Sequence, residues 1–306
     1  MRRIRVASRR SQLAMTQTNW VIDALRARRP DWTFEVVPIT TKGDEILNVT
    51  LSKVGGKGLF VSEIEAVLTS NQADLAVHSL KDVPYELADG LVLAGIPQRE
   101  DPRDALVSRD GQTLSDLPKG AIVGTSSLRR MALLKNLRPD LQVEPLRGNI
   151  DSRLRRAEQG EFAAIILAAA GLARMGWQNR VSEFLQPDDF IPAIGQGVLG
   201  VECRESDAEL VEELKAWTDV PTALCAQAER TLLTTLQGSC QVPIAGYAQL
   251  DQDGTITLTG FVAAPDGSKS LREQASGRDA VAVGKTVAEA LLARGADEYL
   301  RSAQGE

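Results

Sequence analysis

Arginines recur in this sequence where short β-rich runs give way to helical patterns, the positions at which open α/β sheets bind ligands. Arg9 precedes Ser11, which is placed to cap a helix, and Arg129 and Arg130 follow the run Thr125-Ser126-Ser127. Hydroxyl groups and free backbone N–H groups at a helix start form a cradle for a carboxylate or a phosphate. The helix macrodipole disfavours a cation in the first turn by about 0.3–1 kcal/mol unless an anion compensates it, so this placement indicates a bound anion.

A third junction places Arg147 at a predicted strand end and Arg153 just inside a helix that Asp151 is expected to cap. Residues 121–160 hold eight Lys and Arg against four Asp and Glu, whereas the whole chain has 35 against 41 and a net charge of −6. A solvated helix face would account for this count. Four arginines on two neighbouring loops favour instead a ligand with several carboxylates.

Lys81 and Asp82 end a short, buried-type predicted strand just before Pro84. A carboxylate among cations should remain ionised, and it is suited to pairing with a cationic group or intermediate. The alternative is a Lys–Asp pair that only closes a turn. His78, inside the strand pattern, is interpreted as a hydrogen-bonded core residue, and a single histidine excludes a multi-histidine metal site.

Cys240 lies in the loop Gln237-Gly-Ser-Cys-Gln-Val-Pro243, where a thiol is accessible. Cys203 and Cys225 lie in apolar patterns and are predicted to be packing residues. The three cysteines cannot all pair and show no C-x-x-C spacing, so we expect no disulfide framework. The residues alone leave the function of Cys240 open, because thiol reactivity depends on a pKa that a sequence does not give.

Two glycine-rich strings match phosphate loops only in part. Gly195-Gln-Gly-Val-Leu-Gly200 fits G-x-G-x-x-G but leads into a strand-like run instead of opening a helix. Gly55-Gly-Lys-Gly58 lacks the Ser or Thr that follows the lysine of a Walker loop. We therefore predict no nucleotide site and interpret residues 53–58 as a flexible cationic loop before a helix.

The elements that must position these residues alternate between strand and helix, which indicates an α/β architecture. Predicted strands cover residues 4–7, 34–39, 74–77, 122–123 and 163–169, and predicted helices cover 13–25, 60–68, 128–137 and a short segment near 172. Beyond residue 217, a helix, two strands joined by a turn and a final helix predict a small α+β domain. If the chain returns to the first sheet through residues 201–203, the first domain is discontinuous. The expected domains are 1–98 with 199–217, 99–198, and 218–306.

Composition excludes several classes of protein. The net charge of −6 and the aromatic content of 4% argue against a nucleic-acid partner. The longest apolar stretch, Ala163 to Leu172, is shorter than the roughly 20 residues that span a bilayer. Met1-Arg2-Arg3 leads into a strand and not into the apolar region of a secretory signal, so we expect a cytoplasmic location without membrane contact. Nothing in the sequence demands more than a monomer.

Ten short segments between residues 7 and 243 form one ordered set. They are Ala7-Ser-Arg-Arg-Ser-Gln-Leu-Ala14, Thr41-Lys-Gly-Asp44, Lys53-Val-Gly-Gly-Lys-Gly-Leu-Phe60, Ala76-Val-His-Ser-Leu-Lys-Asp-Val-Pro84, Arg99-Glu-Asp-Pro-Arg-Asp104, Gly124-Thr-Ser-Ser-Leu-Arg-Arg130, Leu146-Arg-Gly-Asn149, Ala168-Ala-Ala-Gly-Leu172, Pro192-Ala-Ile-Gly-Gln-Gly197 and Gly238-Ser-Cys-Gln-Val-Pro243. In this order they resemble the porphobilinogen deaminase family. Two departures are Leu80, where the family commonly has Met, and Ser239, where it commonly has Gly. We expect Ser239 to restrict the loop backbone more than Gly would, but Ser is small enough that the thioether that the family forms at the matching Cys240 is still expected.

The resemblance implies a transferase of tetrapyrrole (haem) biosynthesis, a hydroxymethylbilane synthase that deaminates porphobilinogen and joins four units head to tail, releasing ammonia. The family attaches a dipyrromethane primer through a thioether to the cysteine that matches Cys240. Its catalytic carboxylate matches Asp82. The implied fold has two α/β lobes similar to those of periplasmic solute-binding proteins and a small third domain that carries the cysteine loop. No metal is implied.

The resemblance also implies two sets of binding residues. Those implied for the cofactor are Cys240, Lys81, Ser79, Thr125, Ser126, Ser127, Arg129, Arg130 and Gly171. Those implied for the substrate are Arg9, Ser11, Arg147, Arg153, Arg174, Gln196, Lys53, Lys57 and Phe60. Every pyrrole carries an acetate and a propionate, so a growing chain accumulates anionic charge that a buried site can hold only with paired cations.

Two rival functions remain compatible with the residues alone. A non-catalytic two-lobe binder of small carboxylates would show the same arginines, but it would need no reactive thiol in a third domain. A Schiff-base enzyme that uses Lys53, Lys57 or Lys81 is less favoured, because the sequence defines no separate site for a phosphate-bearing cofactor.

Overall fold

The computed structural model describes residues 1–45, 61–237 and 242–304. Within these ranges the chain forms two units. Residues 1–45, 61–99 and 198–223 belong to the first unit, and residues 100–197, 224–237 and 242–304 belong to the second. The first unit is therefore assembled from segments on both sides of the middle of the chain.

Strands are interspersed with helices through residue 204, and the described residues beyond it form two helices, three strands and two further helices in that order. The strands are β1 (Arg2–Arg9), β2 (Trp32–Ile39), β3 (Leu75–Ser79), β4 (Leu91–Gly95), β5 (Asp104–Ser108), β6 (Ile122–Gly124), β7 (Gln142–Glu144), β8 (Ala164–Ala168), β9 (Glu183–Leu185), β10 (Leu199–Arg204), β11 (Ile244–Leu250), β12 (Ile256–Ala263) and β13 (Ser270–Gly277). The α-helices are α1 (Gln12–Arg28), α2 (Lys42–Glu45), α3 (Ser62–Thr69), α4 (Leu128–Leu137), α5 (Ile150–Glu158), α6 (Ala169–Arg174), α7 (Ala208–Trp217), α8 (Val220–Thr235), α9 (Ala280–Ala293) and α10 (Ala296–Gln304). Short 3-10 turns cover Leu80–Asp82 and Gln178–Arg180.

The first unit is built on a mixed sheet in the order β2-β1-β3-β10-β4. Strand β1 pairs in parallel with β2 and β3, whereas β10 pairs antiparallel with β3 and β4. Helix α1 packs Val21 and Leu25 against a core that includes Ile4, Leu75 and Val201. Because β1 and β3 are parallel, the residues that follow them leave the sheet at the same edge.

The second unit contains a mixed sheet in the order β7-β6-β8-β5-β9. Strand β6 is parallel to β7 and β8, and β5 is antiparallel to β8 and β9. Helices α4 and α5 follow β6 and β7 after short connections, and α6 begins directly after β8. The three strand-to-helix junctions therefore lie at one edge of the sheet, which is where this architecture binds ligands.

The C-terminal part of the second unit is an antiparallel sheet in the order β11-β12-β13, packed by α8, α9 and α10. Ala245, Phe261 and Ala263 of this sheet pack into the core that holds Leu106 and Val123 of the neighbouring mixed sheet. The α+β part is thus joined to the preceding α/β part by shared apolar burial, in addition to the chain connection.

The expected fold class, α/β with a small α+β C-terminal domain, is confirmed. The prediction that Asp151 caps a helix is wrong, because α5 begins at Ile150 and Asn149 holds the extended cap conformation. Strand β13 was not predicted. Its residues are mostly exposed or half-buried, with Leu271 buried, so the strand carries little of the apolar alternation that identifies strands in a sequence.

Candidate functional site

The residues before α4 form a hydrogen-bonded turn. The Ser127 hydroxyl caps the helix by accepting a hydrogen bond from the N–H of Arg130 at 3.4 Å, and Thr125 Oγ1 accepts from the N–H of Ser127 at 3.2 Å. Ser126 Oγ donates to the carbonyl of Leu146 at 2.9 Å, which ties this junction to the next one. The three predicted hydroxyl residues therefore lie together and are ordered by local contacts.

Arg129 and Arg130 are both buried, and one carboxylate, that of Asp104 in β5, holds both. Arg129 donates to Asp104 Oδ2 at 2.7 Å and to Oδ1 at 3.2 Å. Arg130 Nε donates to Oδ1 at 2.8 Å, and its Nη2 lies 2.7 Å from the same oxygen. Each guanidinium also donates to one backbone carbonyl, that of Ile191 for Arg129 and that of Ile166 for Arg130.

The cluster of Arg129, Arg130 and Asp104 carries a net positive charge. Two guanidinium groups and one carboxylate sum to +1 in a place from which water is largely excluded. Burial lowers the pKa of Arg130, Asp104 opposes that shift, and the neighbouring charge of Arg129 adds to it. A carboxylate ligand placed here would relieve the excess charge. Asp104 was not among the predicted site residues, although it ends the segment Arg99–Asp104.

The next junction, after β7, carries Arg147 and Arg153. Gly148 between them has a φ of +111°, a conformation that glycine adopts at low cost, and its carbonyl accepts a hydrogen bond from Arg153 Nε at 2.7 Å. Arg147 is half-buried, and burial lowers its pKa. These two predicted arginines lie at the same sheet edge as the turn before α4, as expected.

Helix α6 supplies Gly171, which is buried, and Arg174 near its C-terminal end. Arg174 Nη2 donates to the carbonyl of Gly197 at 2.7 Å. Burial lowers the pKa of Arg174 to about 10, and Glu100 offsets part of that shift. The adjacent Gln196 is fully buried, and its Nε2 donates to the carbonyl of Pro102 at 2.7 Å. Arg174 and Gln196 thus meet at one loop of the second unit.

In the first unit, Asp82 lies in the 3-10 turn that directly follows β3. The turn is tied to the sheet because the N–H of Leu80 donates to the carbonyl of Val198 at 2.9 Å. Ser79 lies beside the buried Gln17 of α1, whose Nε2 donates to the serine hydroxyl at 3.1 Å. Asp82 and Lys81 are both half-buried. Gln17 is a second residue that the sequence analysis did not single out.

The N-terminal junction contributes Arg9, the last residue of β1, and Ser11, whose hydroxyl accepts a hydrogen bond from the N–H of Ala14 at 3.3 Å. The predicted cap at Ser11 is therefore confirmed. Because β1 and β3 are adjacent and parallel, Arg9 and Ser11 lie at the edge of the sheet from which the Asp82 turn also leaves. Four predicted residues, Lys53, Lys57, Phe60 and Cys240, lie outside the described residues.

Residues 4–212 match the family model described as "Porphobilinogen deaminase, dipyromethane cofactor binding domain". The chain belongs to the porphobilinogen deaminase family. Residues 223–293 match the model of the "Porphobilinogen deaminase, C-terminal domain". The relative from Brevibacillus brevis is 55% identical over 97% of this chain and 96% of its own length, and the relative from Bacillus subtilis is 52% identical over 98% and 96%. Both carry the name porphobilinogen deaminase.

Solved structures similar to this porphobilinogen deaminase family member include two bacterial binding proteins. A nutrient-binding protein from Burkholderia cenocepacia bound to methionine gives a TM-score of 0.44 at 13% identity, over 76% of this chain and 96% of that chain. An arginine-specific periplasmic binding protein from Salmonella typhimurium gives 0.42 at 14% identity, over 73% and 94%.

Dipyrromethane is the cofactor that the porphobilinogen deaminase family model names. The donors around α4 fit such a group, because its carboxylates need cations and hydrogen-bond donors, and Arg129 with Arg130 supplies a buried surplus of positive charge. When bound, the group supplies the primer on which further pyrroles are joined. Among the described residues, no group of three or more His, Cys, Asp or Glu side chains is arranged to hold a metal ion.

The remaining predicted packing residues lie in the cores. Cys203 and Cys225 are both buried, and burial raises the pKa of Cys203 to about 12, which leaves that thiol unreactive. His78 is buried and lies 2.8 Å from Glu202, so its interpretation as a core residue is confirmed. None of the helices in the described ranges combines the length and the apolar character needed to cross a membrane.

Proposed function

We propose that this chain converts four molecules of porphobilinogen and one of water into hydroxymethylbilane and four of ammonia. The growing chain is held on a dipyrromethane primer bound through a thioether to Cys240. The observation that carries the proposal is the match of residues 4–212 to the cofactor-binding domain of the family. The near full-length relatives at 52–55% identity support the same activity.

Asp82 is the catalytic residue in this proposal. Release of ammonia breaks the C–N bond of the substrate's aminomethyl group and leaves positive charge on its pyrrole. A carboxylate near the pyrrole N–H stabilises that charge and can take up the proton lost when the new C–C bond forms. The position of Asp82 supports this role, because the turn that holds it follows a buried strand and is anchored by the hydrogen bond from Leu80 to Val198, the residue before β10.

The arginines of the second unit bind carboxylates in this proposal. Arg129 and Arg130 would hold the cofactor together with Thr125, Ser126, Ser127 and Gly171, and Arg147, Arg153, Arg174 and Gln196 would contact the substrate. In the first unit, Ser79 and Lys81 belong to the cofactor set and Arg9 and Ser11 to the substrate set. The buried surplus charge of Arg129 and Arg130 and the burial of Arg174 support these assignments, since a buried cation is costly unless an anion pairs with it. Lys53, Lys57 and Phe60 are assigned to the substrate by resemblance alone.

A non-catalytic binder of small carboxylates would share the arginines, but it would not need the thiol. Mass spectrometry of the intact, denatured protein separates the two functions. We expect a covalent mass excess equal to a dipyrromethane in the wild type, its loss in Cys240→Ser, and its retention in the matched control Cys225→Ser, which changes a buried packing thiol. An unmodified wild type that still forms hydroxymethylbilane would overturn the attachment, and an unmodified, inactive wild type would favour the binder.

The role of Asp82 is tested in Asp82→Asn, which removes the charge and keeps the shape. We expect the cofactor mass to remain and kcat to fall at least about 100-fold, the typical contribution of a positioned acid–base group. The matched control is Asp89→Asn, an exposed carboxylate on the following loop. Turnover in Asp82→Asn equal to that of Asp89→Asn would remove Asp82 from the mechanism.

We further propose that the enzyme acts in the cytoplasm as a monomer, without nucleic-acid or membrane partners. The acidic charge balance and the low aromatic content support the absence of nucleic acid. Light scattering of the purified protein across a concentration series tests the monomer, and a concentration-dependent doubling of the mass would contradict it.

A further inference from the structure

We infer that Asp104 is a positioning residue: it fixes the Arg129 and Arg130 guanidinium groups in the orientation in which they bind a ligand carboxylate. The inference rests on the proposed function, and it goes beyond the family match by assigning a role to a carboxylate that touches the arginines instead of the ligand. The inference is based on the observation that one fully buried carboxylate forms ion pairs with two buried, consecutive arginines.

The geometry leaves each guanidinium little freedom. Arg129 presents Nη1 and Nη2 to the two Asp104 oxygens, and the same Nη1 also donates to the Ile191 carbonyl at 2.7 Å. Arg130 presents Nε and Nη2 to Asp104 and Nη1 to the Ile166 carbonyl at 2.9 Å. A guanidinium group has five N–H donors in a rigid plane, so two anchors on different elements fix the direction of the remaining donors.

The anchors come from parts of the chain that are far apart in sequence. Asp104 begins β5, which pairs antiparallel with β8 in the register Asp104 with Ala168. Ile166 lies in β8, and α6 with Gly171 and Arg174 starts directly after that strand. Asp104 therefore sets the arginines relative to the strand that leads into a second group of proposed ligand contacts.

Two roles for Asp104 predict opposite outcomes. If Asp104 only offset charge, Asp104→Asn would raise the charge of the three side chains from +1 to +2 and strengthen the attraction for an anionic ligand. Asp104→Glu would then behave as the wild type, because the charge is kept. If Asp104 positions the arginines, both variants impair binding, since Asn loses the charged acceptor and Glu moves the carboxylate by one methylene.

The experiment measures two quantities on full-length protein: the fraction that carries the dipyrromethane mass, and kcat/KM for porphobilinogen per loaded molecule. For both Asp104→Asn and Asp104→Glu we expect a lower loaded fraction and a kcat/KM at least about tenfold below the wild type. The matched control is Asp140→Asn at the opposite end of α4, where Asp140 forms a similar two-atom pair with Arg138 at 2.9 and 2.8 Å. This control should leave both quantities unchanged.

Three results would overturn the inference. The first is a loaded fraction and kcat/KM at or above wild type in Asp104→Asn, and the second is wild-type behaviour of Asp104→Glu. The third is a loss in both variants that disappears when the loaded fraction and kcat/KM are corrected for the folded fraction of the protein, because Asp104 would then serve stability alone. Circular dichroism and urea unfolding supply the folded fraction. A wild type without cofactor or turnover would instead refute the proposed function, so the two failures are distinguishable.

Discussion

The Nε2 atom of His78 lies 2.8 Å from Oε2 of Glu202, and both side chains are buried. The pair joins β3 to β10 just before the chain turns toward Asp82. The other carboxylate oxygen, Oε1, is also buried, and within the described part of the chain it has no hydrogen-bond partner. Loss of either side chain would therefore leave the remaining polar group without its partner inside the core.

Glu202→Ala is expected to lower the free energy of unfolding by about 3 kcal/mol, because it leaves the buried His78 imidazole without its partner and opens a cavity. Glu202→Gln keeps an acceptor oxygen and most of the volume, so its loss should be smaller. Urea unfolding followed by circular dichroism measures both. Equal losses in the two variants would show that the His78 contact is not the source of the effect.

Glu65 of α3 should make stability depend on pH. Its Oε1 accepts a hydrogen bond from the N–H of Ala88 at 3.1 Å, but burial is the largest influence and raises the pKa of Glu65, with Glu202 adding to the shift and His78 opposing it. A carboxyl group whose folded pKa exceeds its unfolded value stabilises the fold at low pH. That contribution is lost as the pH rises through the folded pKa.

We therefore expect Glu65→Gln to gain stability relative to the wild type as the pH is raised from about 4 to about 8. Paired urea titrations of the two proteins at both ends of that range measure the difference. Glu289→Gln, an exposed change on α9, should show no such trend. A difference between Glu65→Gln and the wild type that stays constant with pH would contradict the prediction.

Replacing Arg174 should weaken substrate binding without lowering the stability of the fold. Burial lowers its pKa to about 10, which means that the charged form is disfavoured in the folded protein without an anionic ligand. We expect Arg174→Gln to raise KM for porphobilinogen by about tenfold while the unfolding free energy stays equal or increases. Arg180→Gln, which removes a surface contact to Glu158, is the control and should change neither. A parallel fall in stability and activity in Arg174→Gln would indicate a structural arginine.

Gly148 should be intolerant of a side chain. Its φ is +111°, and a Cβ there would overlap Ser152 Oγ, which donates to the Asn149 carbonyl at 2.8 Å. Gly148→Ala is expected to cost about 2–3 kcal/mol and to lower kcat/KM, because the Gly148 carbonyl holds Arg153. Gly111→Ala, at a φ of +74° with open space around it, should cost less and spare activity. Equal effects of the two changes would place the cause in backbone strain alone.

Local patterns in the sequence predicted much of the fold. The predicted helix 128–137 coincides with α4, because Ser127 is a strong cap and the apolar spacing is regular. The arginines at the ends of β6 and β7 fall on one sheet edge because parallel pairing brings those ends together. Asn149 was not predicted as the N-cap of α5, since Asp151 is an equally good capping type and only the backbone geometry shows which of the two residues is the cap.

Long-range partners could not be predicted in the same way. Asp104 meets Arg129 and Arg130 across β8, and nothing local in a segment of charge and proline marks it as their partner. The same holds for Gln17 beside Ser79, which pairs a helix with a strand 62 positions later. Such contacts arise from sheet order, whereas periodicity and capping report only on neighbours in sequence.

Strand β10 completes the first sheet by inserting between β3 and β4. During synthesis on the ribosome, β3 and β4 emerge long before Leu199, and without β10 each presents an unpaired edge. The nascent first unit must therefore wait until the intervening segment, roughly a third of the chain, has been translated, which takes about 5–20 s at typical elongation rates. Until then, the open edges of β3 and β4 are sites at which the nascent chain can pair with another chain.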